Sequence, residues 1–156
     1  MDKNSEMITL GAEARKAREA NLPLVALEST VITHGLPYPQ NLQLARDMEA
    51  EVRQQKAVPA TVGVLDGRVY VGLDDGQLAR LAEGVGLAKV SVRDYGPVIA
   101  AGKSGGTTVA GTLLAANLAG IRIFATGGIG GVHRQAPFDV SADLMQLSCT
   151  PLVVVC

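Results

Sequence analysis

The sequence is poor in aromatic residues, although it is rich in other hydrophobic ones. Aromatic side chains make up 3% of the 156 residues, and tryptophan is absent. Hydrophobic residues still make up 47% of the chain, and most of them are alanine, valine, leucine and isoleucine. A core of such small or branched side chains is typical of parallel strands covered by helices. A chain of this length can bury enough surface for one such core.

Cysteine is also scarce, since Cys149 and Cys156 are the two thiols of the sequence. Neither has a histidine or a second cysteine at ligand spacing, so the cysteines form no zinc-binding pattern. We expect both to be buried and reduced, because a free cysteine usually packs as a small hydrophobic side chain.

Neither sign of charge predominates in the sequence. Fourteen basic and fifteen acidic residues leave a net charge of -1, and no long basic run could follow a phosphate backbone, which argues against a nucleic-acid polymer as partner. The apolar stretches at residues 109–118 and 152–156 are too short to span a bilayer. The first seven residues, MDKNSEM, lack the apolar segment of a signal peptide. The sequence therefore predicts a soluble cytoplasmic protein that has no membrane partner.

Helical and strand-like patterns alternate along the chain. Helices are predicted over residues 11–20, 39–55, 74–83, 107–118 and 141–147, the first of them within an N-terminal helical segment of residues 1–20. Strands are predicted over residues 23–28, 60–65, 68–71, 121–125 and 152–156, and residues 89–103 form an irregular segment. This alternation predicts a layered α/β/α fold with a mostly parallel sheet over residues 21–156. Because the last strand is followed by nothing that could pack on it, we expect this fold to be truncated.

Glu28 stands at the end of the first predicted long strand, beside Ser29 and Thr30. Ligands bind at the carboxyl edge of a parallel sheet. Partial burial there raises the pKa of a carboxyl group, which can then donate a proton near neutral pH. Glu28 is therefore either a proton donor or a loop carboxylate that is solvated or bonded to serine and threonine.

Two glycine-rich segments are candidate ligand-binding loops. Residues 102–108, GKSGGTT, precede a predicted helix, so either their N–H groups bind an anion or Thr107 or Thr108 caps the helix. Residues 126–134, TGGIGGVHR, follow a strand and would let a ligand approach the backbone closely. There, His133 and Arg134 either hold an anionic group or are solvated charges in a flexible loop.

Asp139 and Asp143 flank the start of the last predicted helix. Asp143 falls in its first turn, where the helix dipole favours a carboxylate whatever the function. Asp139 lies before the helix and has no such structural role. A single aspartate with water molecules can hold Mg²⁺ or Mn²⁺ beside a phosphorylated substrate.

Two neighbouring motifs, VALEST at residues 25–30 and THGLPYPQN at residues 33–41, resemble the opening of the pseudouridine-5'-phosphate glycosidase family, also called indigoidine synthase A-like. Later segments are similar to the family in the same order. They are VPAT at 58–61, KVS at 89–91, AAGK at 100–103, TTVA at 107–110, FATGGIGGVHR at 124–134 and FDVSADL at 138–144. So many ordered motifs make a chance resemblance negligible.

The resemblance implies a homotrimeric enzyme that uses Mn²⁺ and cleaves pseudouridine 5'-phosphate into uracil and ribose 5-phosphate through a lysine Schiff base. By motif, Glu28 matches the proton donor and Asp139 matches the Mn²⁺ ligand. Substrate contacts are implied at five positions: Lys89, Val109, Ser141, Ala142 and Asp143.

The same resemblance implies that one essential residue is missing. In the family, the Schiff-base lysine follows the strand that corresponds here to residues 152–156, and neither Lys89 nor Lys103 matches its position. The chain thus resembles the N-terminal half of the enzyme without its nucleophile. The alternative is a non-catalytic fragment of the same fold that binds sugar phosphate and metal.

Overall fold

The computed structural model of the protein describes residues 8–135 and 138–156. The MDKNSEM segment, from which the lack of a signal peptide was predicted, lies outside the described residues. The strands are β1 (Ile8–Leu10), β2 (Leu24–Leu27), β3 (Val58–Leu65), β4 (Arg68–Val71), β5 (Ala88–Val90), β6 (Gly105–Thr107), β7 (Ile123–Ala125), β8 (Val132–His133), β9 (Asp139–Val140) and β10 (Val153–Val155). The helices are α1 (Ala12–Glu19), α2 (Gln40–Gln54), α3 (Asp75–Glu83), α4 (Tyr95–Ala100), α5 (Val109–Leu118) and α6 (Ala142–Cys149).

A mixed, mostly parallel sheet organises these elements. Its strand order is β1-β4-β3-β2-β7-β10, and β6 joins the second half of β3 and in turn pairs with β5. The strands β2, β3, β7 and β10 run parallel, whereas β4 and β6 are antiparallel to β3. The predicted α/β class and mostly parallel sheet are confirmed. The strands β8 and β9 form a separate small antiparallel pair.

Helices pack on the sheet because its strands alternate their side chains between two faces. Ala26 and Phe124 are paired neighbours in β2 and β7, and both are fully buried in a core that includes Leu113 of α5. Leu27, one residue further along β2, points to the opposite face, where it lines a groove together with side chains of α2. The helix α5 is apolar on all sides and is therefore the most deeply buried helix described.

Two buried polar side chains hold α2 in place. The Asn41 amide donates hydrogen bonds of 2.8 Å to the carbonyl oxygens of Ile32 and Ala82. The Glu49 carboxylate accepts a bond of 2.6 Å from the Thr61 hydroxyl and one of 3.1 Å from Arg53. Both groups are paired, as buried polar groups must be if the fold is to be stable.

Several short elements differ from the sequence-based predictions. The strand β1 lies within the segment predicted to be only helical, and it pairs with β4 at the edge of the sheet. Residues 89–103, predicted to be irregular, contain the end of β5, a short 3₁₀ turn (Val92–Asp94) and α4. A one-turn π-helix (Val31–Gly35) follows β2 and was not predicted.

The prediction that both cysteines are buried is wrong. Cys149 and Cys156 are free and exposed to solvent. Cys149 lies in the last turn of α6, whose described residues are all at least partly exposed, and Cys156 follows the edge strand β10. Their positions in the sheet and helix place both thiols outside the core.

Candidate active site

The predicted site residues line one cleft at the carboxyl edge of the sheet. This cleft has a volume of about 880 Å³. It brings together Glu28 directly after β2, Lys89 in β5, Asp139 in β9 and Asp143 in the first turn of α6, residues that are up to 115 positions apart in the chain. Val109, Ser141 and Ala142 line the same cleft, so all seven predicted positions meet there. The arrangement follows from the rule that parallel strands present their carboxyl ends at one edge.

Glu28 is a half-buried carboxyl group at the centre of this edge. Burial raises its pKa above the usual value of 4.5, and the nearby Asp143 carboxylate acts in the same direction. The Thr126 hydroxyl, which donates a hydrogen bond of 2.7 Å to Oε1, and the Lys89 charge lower the pKa but do not outweigh burial. Glu28 therefore bonds to a threonine and also holds its proton more tightly than a solvated acid, and its role as a proton donor stays a prediction.

A cluster of buried hydroxyl groups fixes the backbone on both sides of Glu28. Ser29 Oγ donates to the carbonyl oxygen of Val62 and accepts from the Thr107 N–H at 2.9 Å. Thr107 Oγ1 also donates to the Val62 carbonyl, so the 2.9 Å contact between Thr107 and Thr112 has Thr112 as its donor. These bonds join the ends of β2 and β6 to the middle of β3 and thereby position Glu28 and the start of α5 relative to each other.

Thr30 is a cleft residue that sequence analysis did not single out. Its Oγ1 is buried and has no hydrogen-bond partner among the described residues. An unpaired buried hydroxyl costs stability and is therefore uncommon. Its position two residues after Glu28 in the VALEST motif was the available signal.

The start of α5 presents one backbone donor to the cleft. The Thr108 hydroxyl caps the helix by accepting from the Gly111 N–H at 3.2 Å, so the predicted cap is confirmed, while anion binding at this segment stays a prediction. The Ala110 N–H donates to Asp143. The Val109 N–H has no acceptor among the described residues, so it is the donor left for a ligand at this helix end.

Asp143 joins three segments that border the cleft. Its Oδ1 accepts the Ala110 N–H of α5 and its Oδ2 accepts the Gly130 N–H of the glycine-rich loop, both at 2.9 Å. Its own N–H is bonded to the hydroxyl of Ser141, which caps α6. Asp143 therefore fixes the glycine loop against α5, and this contact was not evident from its helix position alone.

Asp139 is the predicted metal ligand, and its surroundings limit the kind of ion it could hold. Its side chain is 70% exposed, and its nearest ionic partner is His133 Nδ1 at 3.9 Å. Within residues 8–135 and 138–156, no three His, Cys, Asp or Glu side chains are grouped as a metal-ligand set. A single carboxylate fits an Mg²⁺ or Mn²⁺ ion that keeps most of its water and shares a substrate phosphate.

Basic groups line the side of the cleft near β5. Lys89 and Arg93 are its two cationic side chains within the described part of the chain, and both are exposed at its wall. Arg93 was not predicted, because it lies in the segment that the sequence left irregular. His133 and Arg134 are exposed and do not line the cleft, which favours the interpretation as solvated charges.

A family model decides the affiliation of the chain. The model described as indigoidine synthase A like protein matches residues 13–156. The chain belongs to the indigoidine synthase A like family. This confirms the resemblance that the motifs predicted.

Members of this family with assigned names are similar over nearly the whole chain. A pseudouridine-5'-phosphate glycosidase from Jannaschia is 55% identical over 150 residues, which cover 95% of this chain and 50% of that relative. One from Roseiflexus is 55% identical over 160 residues, covering 99% of this chain and 51% of that relative. The chain thus spans about half the length of the curated relatives it matches.

Solved structures of the indigoidine synthase A like fold agree with the architecture described above. The prealnumycin C-glycosynthase AlnA, solved in complex with ribulose 5-phosphate, superposes with a TM-score of 0.85 at 41% identity, covering 96% of this chain and 49% of that one. An indigoidine synthase A-like protein from Thermotoga maritima gives 0.76 at 35% identity, covering 91% of this chain and 46% of that one.

None of the helices in the described residues combines the length and apolar character needed to cross a membrane.

Proposed function

We propose that this chain provides the acid, the metal ligand and part of the sugar-phosphate site of a pseudouridine-5'-phosphate glycosidase. The complete reaction cleaves the carbon-carbon bond between uracil and ribose 5-phosphate. The observation that carries the proposal is the single cleft that Glu28, a carboxyl group of raised pKa, lines together with basic groups and Val109 at the N-terminus of α5. Relatives named for this reaction are about 55% identical to the chain.

Glu28 is the proton donor in this proposal. A C-glycosidic bond has no good leaving group, so its cleavage depends on protonating the atoms that gain electrons. Burial keeps Glu28 protonated at a higher pH than a solvated carboxyl group, and the Thr126 hydroxyl holds one of its oxygens in place. This combination of proton retention and fixed geometry is what an acid catalyst needs.

The sugar phosphate is bound by the opposite wall of the cleft. Lys89 and Arg93 attract the phosphate dianion, and the Val109 N–H donates from the positive end of α5. Ser141 and Ala142 begin α6 at the rim and approach the sugar, while Asp143 keeps the glycine loop closed against α5.

Asp139 would hold the Mn²⁺ ion of the complete enzyme. When bound, the ion would supply positive charge beside the substrate phosphate. The carboxylate is 70% exposed and its ionic contact with His133 Nδ1 is long, at 3.9 Å, so it is available to a hydrated ion.

The Schiff base requires a lysine, and we propose that it lies outside these 156 residues. The amine attacks C1' as the C1'–O4' bond breaks, so that the nitrogen loses a proton and O4' takes one up to become a hydroxyl group. Its lone pair then forms the C=N bond while the electrons of the C1'–C5 bond pass to uracil, which takes up a proton. Water finally releases ribose 5-phosphate from the imine.

Lys89 is the one lysine that lines the described cleft, and we assign it to phosphate binding.

The second candidate function is a fragment that binds sugar phosphate and metal without catalysis. The observation that favours it is the coverage of about half of each named relative. Such a fragment would keep the binding wall of the cleft and would never form the imine.

We also propose that the complete enzyme forms a homotrimer and that it acts in the cytoplasm.

The test combines this chain with the missing part of the enzyme. The chain is co-expressed with the segment of the Jannaschia relative that the match does not span, and release of uracil from pseudouridine 5'-phosphate is followed. Glycosidase function predicts uracil release that needs both polypeptides and falls at least about 100-fold in Glu28→Gln. Ribose 5-phosphate binding without any uracil release would instead support the binding fragment.

A further inference from the structure

One face of the sheet carries exposed apolar side chains at β7 and β10. Ile123 and Val153 are paired neighbours, as are Ala125 and Val155, so the four side chains point to the same face. The exposed fractions are 40% for Ile123, 64% for Val153 and 58% for Val155. On the opposite face Phe124 is fully buried and Val154 packs on the same core. Within residues 8–135 and 138–156, helices therefore cover only one side of these two strands.

A groove continues this apolar face towards α2. It has a volume of about 670 Å³ and lies between the helix and the end of β7. Its apolar walls come from Leu27, Val31, Leu44, Met48, Val52 and Ala125. Glu28 and Thr126 also line it, so the groove meets the cleft at the Glu28 carboxyl group, which both share.

An apolar sheet face of this kind needs a covering layer. Parallel sheets are stable when both faces are covered by helices. The strand β10 also ends the strand order, so its outer edge presents backbone groups unpaired within the described chain. The relatives in the family are about twice as long as this chain, which provides enough polypeptide for that layer.

We propose that the face formed by Ile123, Ala125, Val153 and Val155, together with the α2 groove, is the docking surface for the half of the family's length that this chain does not span. The covering segment is an amphipathic helix whose apolar side fills the groove and lies over β7 and β10. Because Glu28 lines the groove, docking also removes water from one side of the acid. The inference rests on family membership and packing, and it does not depend on the reaction proposed above.

Binding without substrate tests this surface. The chain is mixed with the unmatched segment of the Jannaschia relative, and sedimentation velocity gives the stoichiometry and Kd. A 1:1 complex is expected. The double variant Val153→Lys/Val155→Lys should weaken it at least about tenfold, because a buried unpaired charge is strongly unfavourable. Hydrogen exchange should slow on complex formation at residues 44–52 and 123–127.

The matched control changes an equally apolar side chain elsewhere. Val85 is 98% exposed in the loop after α3 and lines neither the groove nor the cleft, so Val85→Lys should leave the Kd unchanged. All the substituted valines are exposed, and circular dichroism of each variant checks that the fold is retained. No complex, a complex unaffected by the double variant, or self-association of the chain through the same valines would each overturn the proposal.

Discussion

The Glu28 carboxyl group gives a pH-dependent prediction at the scale of a single residue. Its pKa in the folded protein is raised above 4.5 by burial. The folded state therefore holds this proton more tightly than the unfolded state, so Glu28 contributes stability below pH 4.5 that is lost as the pH rises through the folded pKa. Glu28→Gln keeps an oxygen for Thr126 and removes this titration.

Urea unfolding of Glu28→Gln and the parent chain at several pH values checks this sign. The variant should be more stable at pH 8, and the difference should decrease as the pH falls towards 4. Glu51→Gln, which changes an exposed acid on α2, is the control and should show no such trend. If the stability of the parent chain relative to Glu28→Gln increased with rising pH, the raised pKa of Glu28 would be contradicted.

Asp143 gives a second prediction at this scale. Asparagine retains one carbonyl oxygen and replaces the other by an NH₂ group, which cannot accept the Ala110 or Gly130 N–H. Asp143→Asn should therefore lower the free energy of unfolding by about 1–3 kcal/mol and speed amide exchange at Gly130 or Ala110. The control Asp47→Asn, on the exposed side of α2, should change neither the free energy of unfolding nor the exchange of these two amides. Unchanged exchange at both amides would remove Asp143 from this positioning role.

Sequence analysis found four of the charged residues that line the cleft, but it missed Arg93 and Asp94 and many of the contacts. Glu28 and Asp139 were recognisable because one ends an apolar strand and the other lies before a helix without capping it. The bonds from Asp143 to Ala110 and Gly130 link positions 33 and 13 residues apart. Such contacts depend on how α5 and α6 pack, which local spacing does not specify.

The glycine-rich loop gives a prediction at the scale of an element. A Cβ atom at Gly130 would lie 2.6 Å from Ser141 Cβ and 2.9 Å from Asp143 Oδ2, so the loop approaches α6 too closely for any side chain. Gly130→Ala should lower stability by about 1–3 kcal/mol, as expected for overpacking. Gly131→Ala meets no atom within 4 Å and should be nearly neutral in the same urea titration. Equal effects of the two substitutions would contradict this close approach.

Long elements were predicted better than short ones. The helices α2 and α5 and the strand β3 are long and have strong apolar patterns that identify them. The strand β6 lies in the segment that was predicted to be a glycine-rich loop, because two of its three residues are glycine. Those glycines are needed since a Cβ at Gly105 would lie 2.8 Å from Val90 Cγ2 and one at Gly106 would lie 2.7 Å from the Ser29 carbonyl oxygen. Close contact between strands, rather than turn propensity, selects glycine here.

Metal binding is a property of the assembled molecule, because Asp139 alone supplies few ligands. We expect Mn²⁺ to bind weakly to the chain and more tightly when ribose 5-phosphate is present, since the phosphate shares the ion. Asp139→Asn should weaken binding at least about tenfold, as measured by Mn²⁺ electron paramagnetic resonance. Asp75→Asn, an exposed acid outside the cleft, should leave it unchanged. Equal Mn²⁺ affinity in Asp139→Asn and the parent chain would rule out this ligand.

Fold class, cleft position and a last strand without a covering layer could be predicted for the whole molecule, whereas the extent of the uncovered face over β7 and α2 could not. Alternating helices and strands indicate a parallel sheet, and the carboxyl-edge rule then places Glu28 at the ligand-binding edge. Lys89 was identified through the family resemblance alone. The exposure of Val153 and Val155 depends on which helices cover β10. That information comes from three-dimensional packing, because an apolar strand has the same sequence pattern whether it is covered or not.

Borohydride trapping with ribose 5-phosphate tests most directly whether the chain holds the acid and binding groups but not the nucleophile. An imine between a lysine and C1' is reduced to a stable amine that mass spectrometry locates on the peptide. The account predicts no adduct on the 156-residue chain, and an adduct on the added polypeptide once the unmatched segment of the Jannaschia relative is supplied. An adduct on Lys89 or Lys103 of the chain alone would contradict it.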